Sequence, residues 1–241
     1  MTTHDDSTIA EDMLPADWDP RWERRREDLS NFSLDLPIGQ GTFGKVYKAT
    51  ISNRRREGRV TEDVAVKMTT TKKTAAEFAL LNEFYIMRKA GFHRNIIKVL
   101  GCCVKGGPFL LIFEYAPFGN LRDFLRKEHE RSKNDHEQPT GLRSITQRDL
   151  GRFAMDLAGG MNFLVSKQII HRDLAARNIL VGLNRTMKIA DFGLARNITN
   201  LQNYEQKSED PVPFRWLALE VLLTNQYTHQ SDMHVTSSNT P

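Results

Sequence analysis

The order of five short segments along the chain constrains the fold more than any single feature of the sequence does. From first to last they are GQGTFGKV, VAVK, a helix-like stretch with a central Glu, HRDLAARN and DFG. Each has an ordinary explanation by itself, because glycine turns, lysines at strand ends and Asp-Gly bends are common in loops. Chance does not explain their occurrence together in one orientation, which indicates that they serve one site.

The first half of the chain carries a strand pattern. Alternation of apolar and polar residues between turn signals predicts strands at residues 32–40, 45–52, 63–68, 95–104 and 108–116. An Arg-rich loop is expected between the second and third of these strands. Residues 74–90, TAAEFALLNEFYIMRKA, contain no Gly or Pro and are rich in Ala, Leu and Glu, which predicts a helix.

The second half is predicted to be mostly helical. Residues 120–128 begin one helix, and the charged, Pro-containing residues 127–141 are predicted to form a loop. Residues 145–167 form a second helix, and its apolar face comprises Leu150, Phe153, Leu157, Met161 and Leu164. Short strands are expected on both sides of the turn at 182–186. The predicted fold class is α+β, with a β-rich lobe that contains one helix, followed by a helix-rich lobe.

Composition excludes several classes of protein. The chain has 241 residues, 39% of them apolar and 27% charged, which suits one large or two modest globular domains. The net charge of +4 is a mild excess, and the clusters Arg24–Arg26 and Arg54–Arg56 are interpreted as solvated turns rather than as nucleic-acid or membrane contacts. The adjacent Cys102 and Cys103 lack metal-site spacing, so buried, reduced side chains are expected. The acidic amino terminus is not a signal peptide, no apolar run is long enough for a membrane span, and a cytoplasmic location is predicted.

The glycine segment is suited to phosphate binding. Gly39, Gly41 and Gly44 lie between two predicted strands, where bare backbone N–H groups can reach phosphate oxygens without a Cβ clash. The same spacing occurs in plain turns and in dinucleotide-binding folds, but in those folds a helix follows, whereas here a strand follows. Phe43 at the tip is interpreted as a lid.

Two further segments supply charged side chains. Lys67 ends a strand, where lysines are ordinarily solvated, but Glu83 on the following helix is within reach for an ion pair. Ala65, on the same face as Lys67, leaves room for a flat base. Asp191 follows the apolar strand MKIA and precedes Gly193, which suits a magnesium ligand, although a plain turn or a helix cap explains it equally well in isolation.

The ordered set resembles the catalytic domain of protein kinases from about residue 32 to residue 232. The letters LAAR between Asp173 and Asn178, and VPFRWL at 212–217, are similar to those of tyrosine kinases. DPRWE, HRNIIKVLG and EYAPFGNLRDFL resemble the fibroblast-growth-factor and related growth-factor receptors. The resemblance implies a two-lobed kinase fold, with a β-rich lobe at 32–115 and a helical lobe at 116–232. Residues 1–31 would be a polar, loosely ordered, juxtamembrane-like lead-in.

The resemblance also implies the roles of the catalytic residues. Asp173 would accept the proton of the substrate hydroxyl, and Asn178 with Asp191 would hold Mg²⁺. Arg177 would support the catalytic loop and the transferred phosphate. Tyr204 would be an activation-loop phosphorylation site whose phosphate pairs with Arg172, although an ordinary exposed tyrosine is an equally good interpretation.

ATP would be held by groups from both lobes. Lys67, fixed by Glu83, would grip the α- and β-phosphates. The backbone of Glu114 and Ala116 would bond the adenine edge, and Phe113 would close the pocket behind it. The side chains and glycines around the nucleotide would be Ile38, Gly39, Gly41, Gly44, Val46, Ala65 and Leu180. The implied partners are tyrosine-containing peptides and proteins and a second kinase domain, with the chain forming the cytoplasmic part of a receptor.

The chain departs from the family pattern in two places. Ala218-Leu219-Glu220 stands where the family has Ala-Pro-Glu, and the match ends at Asp232, after which residues 233–241 are predicted to be disordered. Asp232 is expected to anchor the backbone around His171. An incomplete helical lobe would hold the catalytic loop loosely and leave an apolar surface exposed, including Trp216, Leu217, Val221, Leu222 and Leu223. An inactive fragment that binds nucleotide or acts as a decoy is therefore the alternative to an active enzyme.

Overall fold

The computed structural model describes residues 14, 17–32, 36–41, 44–55, 58–69, 74–134, 144–198, 204–205, 217–224 and 226–233. The chain divides into two compact units, the first comprising residues up to 88 together with 98–115, and the second 89–97 together with residues from 116 onward. The first is mainly sheet and the second mainly helix, so the predicted α+β class is confirmed. Over the described ranges, none of the helices combines the length and apolarity needed to cross a bilayer.

The first unit is built on an antiparallel sheet. Its strands are β1 (Leu29–Ser30), β2 (Pro37–Gly41), β3 (Gly44–Arg55), β4 (Gly58–Met68), β5 (Val99–Cys103) and β6 (Leu110–Glu114). The strand order is β1-β3-β4-β6-β5, and β2 also pairs with β3. Because side chains alternate along each strand, one face supplies a core made of Ala49, Ile51, Val64, Val66, Cys103, Leu110 and Ile112.

The loop expected between β3 and β4 is largely strand instead. The register continues to the pairs Arg54 with Arg59 and Arg55 with Gly58. Cross-strand pairing thus extends the hairpin through Arg54 and Arg55, an effect that the composition of the segment does not reveal. Residues 56 and 57 at its tip lie outside the described residues.

Within the lead-in, residues 17–31 pack on the rest of the first unit, although this segment was expected to be loosely ordered. β1 pairs with β3, and the backbone N–H of Arg24 donates to the carbonyl of Cys102 at 2.7 Å. The guanidinium of Arg26 donates to the carbonyls of Lys105, at 2.7 Å, and Pro108. The interpretation as a solvated turn is therefore wrong for Arg24 and Arg26, because backbone carbonyls of β5 and of the loop after it accept from them, whereas Arg25 is exposed.

The helix predicted at residues 74–90 is present as α1 (Thr74–Ala90). Its inward face is apolar, with Leu80, Phe84 and Met87 buried at helical spacing, and it also buries Glu83. The prediction succeeded because the segment lacks helix breakers and carries strong helix formers.

The second unit contains α2 (Leu121–Asn134) and α3 (Gln147–Ser166). The loop was predicted from residue 127, but the helix continues to Asn134, because the charged residues form pairs along it. Arg131 bonds Glu128 at 2.6 Å, and Arg126 meets Glu130 at 3.4 Å. Oppositely charged side chains at these spacings support a helix that has little apolar character of its own.

The apolar face of α3 is shorter than predicted. A capping box fixes the start of the helix, with the Thr146 hydroxyl accepting from the Asp149 N–H and the Asp149 carboxylate accepting from the Thr146 N–H. Phe153, Met161 and Leu164 are buried, but Leu150 in the first turn is 44% exposed. The buried stripe thus begins one turn later than the periodicity alone suggests.

Gly160 marks the closest approach of α3 to its neighbours. A Cβ at this position would lie 2.9 Å from Ile189 Cδ1 and 3.0 Å from the Asn95 carbonyl oxygen. The absence of a side chain is therefore what lets α3 pack here.

Gly160→Ala is expected to lower the free energy of unfolding by about 1–3 kcal/mol through overpacking. Gly151→Ala, in the same helix and with nothing within 4 Å of the added Cβ, should raise it by about 0.5–1 kcal/mol. Urea titrations of the two variants measure both changes. Equal shifts of the same sign would contradict the close contact at Gly160.

Short elements complete the second unit. They are β7 (Ile169–Ile170), β8 (Ile179–Val181), β9 (Met187–Ile189), β10 (Arg196–Asn197), β11 (Tyr204–Glu205), α4 (Leu219–Thr224), β12 (Gln226–Tyr227) and α5 (His229–Met233). β8 and β9 are the short strands predicted around the turn at 182–186.

Leu217 and Val221 are buried with Ile170, Ile198 and Tyr227, so their predicted exposure is wrong, whereas Leu222 and Leu223 are exposed as expected. Trp216 and residues 234–241 lie outside the described residues.

Candidate functional site

A buried ion pair lies in the first unit. Lys67 near the end of β4 donates from Nζ to Glu83 Oε2 on α1 at 2.7 Å. The two side chains are 7% and 1% exposed, so the ordinary interpretation of Lys67 as a solvated strand-end lysine is wrong. Desolvation offsets most of the attraction in such a pair, so it contributes little net stability. Its presence therefore indicates a use for the positioned ammonium group.

The register of the sheet explains what surrounds Lys67. Val46 on β3 and Leu111 on β6 are its cross-strand partners. Ala65, two residues earlier, lies on the same face, and its partner across the strands is Phe113. Ala65 and Phe113 are both buried, so the small and the bulky side chain predicted here occupy neighbouring interior positions.

The glycine segment forms the β2–β3 hairpin. Gly39 pairs with Val46 and Gly41 with Gly44, and Ile38, which directly precedes Gly39, is about half exposed. A Cβ on Gly44 would lie 2.2 Å from the Met68 carbonyl oxygen, a contact that no side chain can make. Glycine is therefore required at this position by β3–β4 packing. Residues 42 and 43 lie outside the described residues, and so does the lid predicted for Phe43.

The end of β6 is fixed by its neighbour. Glu114 donates its backbone N–H to the Lys98 carbonyl at 3.0 Å, and its Oε1 accepts from the Lys98 N–H at 2.8 Å. In the second unit, the Ala116 carbonyl accepts from the Gly119 N–H at 3.3 Å, and Leu180 on β8 bridges to Asn120. The two backbone positions predicted to contact adenine are thus each held by local hydrogen bonds.

Asp173 is oriented by two residues of its own loop. Asn178 Nδ2 donates to Asp173 Oδ2 at 2.7 Å and to its carbonyl oxygen at 2.8 Å, and Arg177 Nη2 donates to Oδ1. Burial raises the pKa of Asp173, although the charge of Arg177 and the Asn178 hydrogen bond act in the opposite direction. A fixed carboxylate with a raised pKa is suited to accepting a proton.

The β8–β9 hairpin brings Asp191 to this loop. Ile179 pairs with Ile189, so Asn178, just before β8, lies opposite the residues just after β9. The Ala190 N–H donates to the Asn178 carbonyl at 2.8 Å, and Asp191 follows with a left-handed backbone, φ 61°. The described residues contain no cluster of three or more His, Cys, Asp or Glu side chains that could hold a metal ion together.

The start of the catalytic loop is anchored by Asp232 on α5. Its carboxylate accepts from the backbone N–H groups of Arg172, at 2.8 Å, and His171. Burial raises the pKa of Asp232 to about 6, although both hydrogen bonds lower it. His171 is fully buried, which lowers its pKa to about 4, and its Nε2 lies 3.0 Å from the Ala190 carbonyl oxygen. The anchor expected for Asp232 is therefore present.

Arg172 lies beside the predicted phosphorylation site. Its guanidinium stacks on the ring of Tyr227, 4.5 Å from the centroid. Tyr204 is the backbone partner of Tyr227 across β11 and β12. The backbone of Tyr204 is therefore paired with Tyr227, the residue whose ring Arg172 covers.

Three further residues support the catalytic loop and the strands next to it. Phe192 is fully buried and its ring lies 4.8 Å from that of His171. Asn95 donates from Nδ2 to the Met187 carbonyl at 3.0 Å and so fastens β9. Tyr227 supports Arg172. Phe192 lies in the DFG segment but was given no role of its own. Asn95 and Tyr227 were missed as site residues, because their partners lie 92 and 55 residues away and leave no local pattern.

The segment Ala218-Leu219-Glu220 starts α4. Ala218 is buried, and Leu219 and Glu220 are exposed. The Glu220 carbonyl accepts from the Thr224 hydroxyl at 2.7 Å, within the helix. The Leu that replaces the family's Pro is therefore accommodated at the surface.

Comparison with known proteins assigns the arrangement to a family. Residues 32–235 match the family model described as protein tyrosine and serine/threonine kinase. The chain is 41% identical over 226 residues to fibroblast growth factor receptor homolog 2 of Drosophila melanogaster, which covers 89% of this chain and 21% of that protein. It is also 41% identical over 230 residues to fibroblast growth factor receptor 1 of Pleurodeles waltl, covering 93% and 28%. The chain thus spans between a fifth and a third of the length of these relatives.

Proposed function

Because this chain belongs to the protein tyrosine kinase family, we propose that it transfers the γ-phosphate of ATP to the hydroxyl of a tyrosine in a peptide or protein. The observation that carries the proposal is the Asp173 carboxylate, held between Arg177 and Asn178 in a loop that Asp191 also approaches. Phosphoryl transfer depends mainly on positioned groups and charge stabilisation, and this constellation supplies both.

Asp173 is proposed to act as the base. It takes the proton of the tyrosine hydroxyl while the phenolic oxygen forms a bond to the γ-phosphorus and the bond to the β–γ bridging oxygen breaks, releasing ADP. Arg177 keeps the carboxylate in place and adds positive charge beside the transferred phosphate. Asn178 holds the second carboxylate oxygen, so that only one orientation is available.

Asn178 and Asp191 fit a magnesium ion. Both offer hard oxygen ligands, which Mg²⁺ prefers together with phosphate oxygens, and the β8–β9 hairpin holds the two residues near each other. When bound, Mg²⁺ would neutralise charge on the β- and γ-phosphates. Lys67 would meet the α- and β-phosphates, and Glu83 fixes the direction of its ammonium group.

The remaining nucleotide contacts are assigned by the family resemblance. By that resemblance, the backbone of Glu114 and Ala116 would bond the edge of adenine. Phe113 would limit the depth of the pocket. The apolar and glycine contacts would be Ile38, Gly39, Gly41, Gly44, Val46, Ala65 and Leu180.

Tyrosine is the proposed acceptor because Ala175 stands where serine/threonine kinases usually carry a Lys. Ala175 is buried, so the loop is closely packed at this point. The relatives are growth-factor receptors, and we propose that this chain is likewise the cytoplasmic kinase part of a receptor, in which two domains phosphorylate each other at Tyr204. The segment at 212–216 that would seat the tyrosine lies outside the described residues.

A matched peptide pair tests the assignment. Initial rates of phosphate transfer from ATP and Mg²⁺ are measured for a tyrosine peptide and for the same peptide with serine. We expect transfer to the tyrosine peptide to be faster by at least about 100-fold. Equal rates, or transfer to serine alone, would contradict the proposed specificity.

The rate is also expected to depend on the ionisation of Asp173. Its pKa is raised by burial, and only the ionised form accepts a proton, so kcat should fall as the pH drops through that raised value. The acid limb should therefore lie above the pKa of about 3.9 of a free Asp. A pH–rate profile measured with the folded protein checks this, and a rate that stays constant down to about pH 4 would contradict it.

A further inference from the structure

The segment of residues 17–30, here called the strap, precedes the part of the chain that matches the kinase family, which begins at residue 32. It is nevertheless packed on the first unit through two tryptophans. The ring centroid of Trp18 lies 5.4 Å from that of Phe84 and 6.3 Å from that of Tyr85, and Trp22 lies 5.8 Å from Phe84. Four aromatic rings therefore form one cluster on α1.

The cluster lies next to the residue that fixes Lys67. Phe84 follows Glu83 directly in the chain, and both are almost completely buried. The ring of Phe84 is contacted by Trp18, Trp22 and Tyr85, so the strap supplies two of its three aromatic neighbours. A shift of this turn of α1 would move Phe84 and Glu83 together, because they are consecutive residues of one helix.

The strap is also fixed to the sheet, so it connects α1 to β5. Arg24 donates its N–H to the Cys102 carbonyl at 2.7 Å. Gly101 on β5 has φ 150°, and a Cβ there would lie 2.6 Å from the Trp22 carbonyl oxygen. The sheet therefore provides a glycine where the strap passes. Asp19 of the strap lies 4.0 Å from Arg88 on the next turn of α1.

We infer that Trp18 and Trp22 are positioning residues, which tie α1 to β5 and thereby hold Glu83 against Lys67. The inference rests on the proposed kinase function, because it assigns the strap a role in binding ATP. It adds that nucleotide affinity depends on a segment outside the matched kinase domain. The strap contacts α1 and the sheet of the first unit, so a change in it should affect the nucleotide and leave peptide binding unchanged.

The test uses residues 1–241 with Trp18→Ala, the conservative Trp18→Phe, and Arg25→Ala as the control within the strap. Arg25 is exposed and pairs only with Glu27 and Asp28 among the described residues. Three quantities are measured: the rate at which an amine-reactive ester labels Lys67, the Kd for ATP with Mg²⁺, and the KM for a Glu/Tyr copolymer. Circular dichroism verifies folding, and Trp18→Leu replaces Trp18→Ala if the latter does not fold.

With Trp18→Ala we expect Lys67 labelling and the Kd for ATP each to rise about five- to tenfold, with the copolymer KM unchanged. Trp18→Phe should recover most of both effects, and Arg25→Ala should show neither. Wild-type values for Lys67 labelling in a folded Trp18→Ala or Trp18→Leu variant would overturn the inference. A further outcome is that Lys67 is labelled faster in Trp18→Ala than in wild type while neither protein transfers phosphate. That result would support the positioning role of Trp18 and contradict the proposed kinase function, so failure of one can be distinguished from failure of the other.

Discussion

Replacement of Asp173 by Asn is expected to lower kcat for tyrosine phosphorylation by about 10²–10⁴-fold. Asn has nearly the shape of Asp, but its single amide oxygen can accept from only one of Asn178 and Arg177, and the amide cannot take the proton of the attacking hydroxyl. Because the nucleotide contacts are not altered, the KM for ATP should stay within about twofold of the wild-type value. Steady-state kinetics with a tyrosine peptide measure both constants.

The control for this substitution is Asp63→Asn. Asp63 pairs with Lys48 on the surface, where both side chains are about half exposed, and such pairs contribute little. The control should therefore retain full activity. A kcat for Asp173→Asn within about tenfold of wild type would remove the base from the proposed mechanism.

The second large effect concerns Lys67 and Glu83. Lys67→Met leaves the Glu83 carboxylate buried and without its ion pair, which is expected to lower the free energy of unfolding by about 3–5 kcal/mol. Phosphate transfer should be lost as well, because no ammonium group remains for the α- and β-phosphates. Denaturant unfolding and nucleotide binding by calorimetry give the two readouts.

A double substitution separates the two effects. Lys67→Met combined with Glu83→Leu removes both charges and fills the space with apolar atoms, so the free energy of unfolding should return to within about 1 kcal/mol of wild type. Nucleotide binding should remain weak, since it requires the ammonium group itself. Recovery of nucleotide affinity in the double variant would contradict the role proposed for Lys67.

Local sequence signals predicted those parts of the structure that depend on local interactions. α1 lacks breakers throughout its length and was located at its observed bounds. The strands β3 to β6 follow from apolar alternation between turn residues. The ion pair of Lys67 and Glu83 was expected because Glu83 lies on the helix that follows the strand of Lys67, and the structure contains it.

Other features depend on pairing between residues, which composition and local propensity do not reveal. The strap was expected to be loosely ordered because it is polar, yet the ring of Trp18 packs on Phe84, which lies 66 residues later on α1. The arginines at 54 and 55 continue a hairpin because they have cross-strand partners. α2 extends to Asn134 because its charges pair along the helix, although the same residues have the composition of a loop. In each case tertiary or side-chain pairing outweighed local propensity.

The burial of the second unit was the least predictable part. Leu217 and Val221 were expected to be exposed, but they pack with Ile170, Ile198 and Tyr227. The anchor of the catalytic loop joins Asp232 to His171, 61 residues apart, and only the family resemblance indicated it.

One measurement tests the central claim most directly. Residues 1–241 are incubated with ATP labelled at the γ-phosphate, Mg²⁺ and a Glu/Tyr copolymer, and the copolymer is hydrolysed to identify the labelled amino acid. The account predicts that the label is recovered as phosphotyrosine and that Asp173→Asn yields almost none. Folded protein that binds ATP but transfers no label would contradict it and would favour a nucleotide-binding or decoy role for this chain.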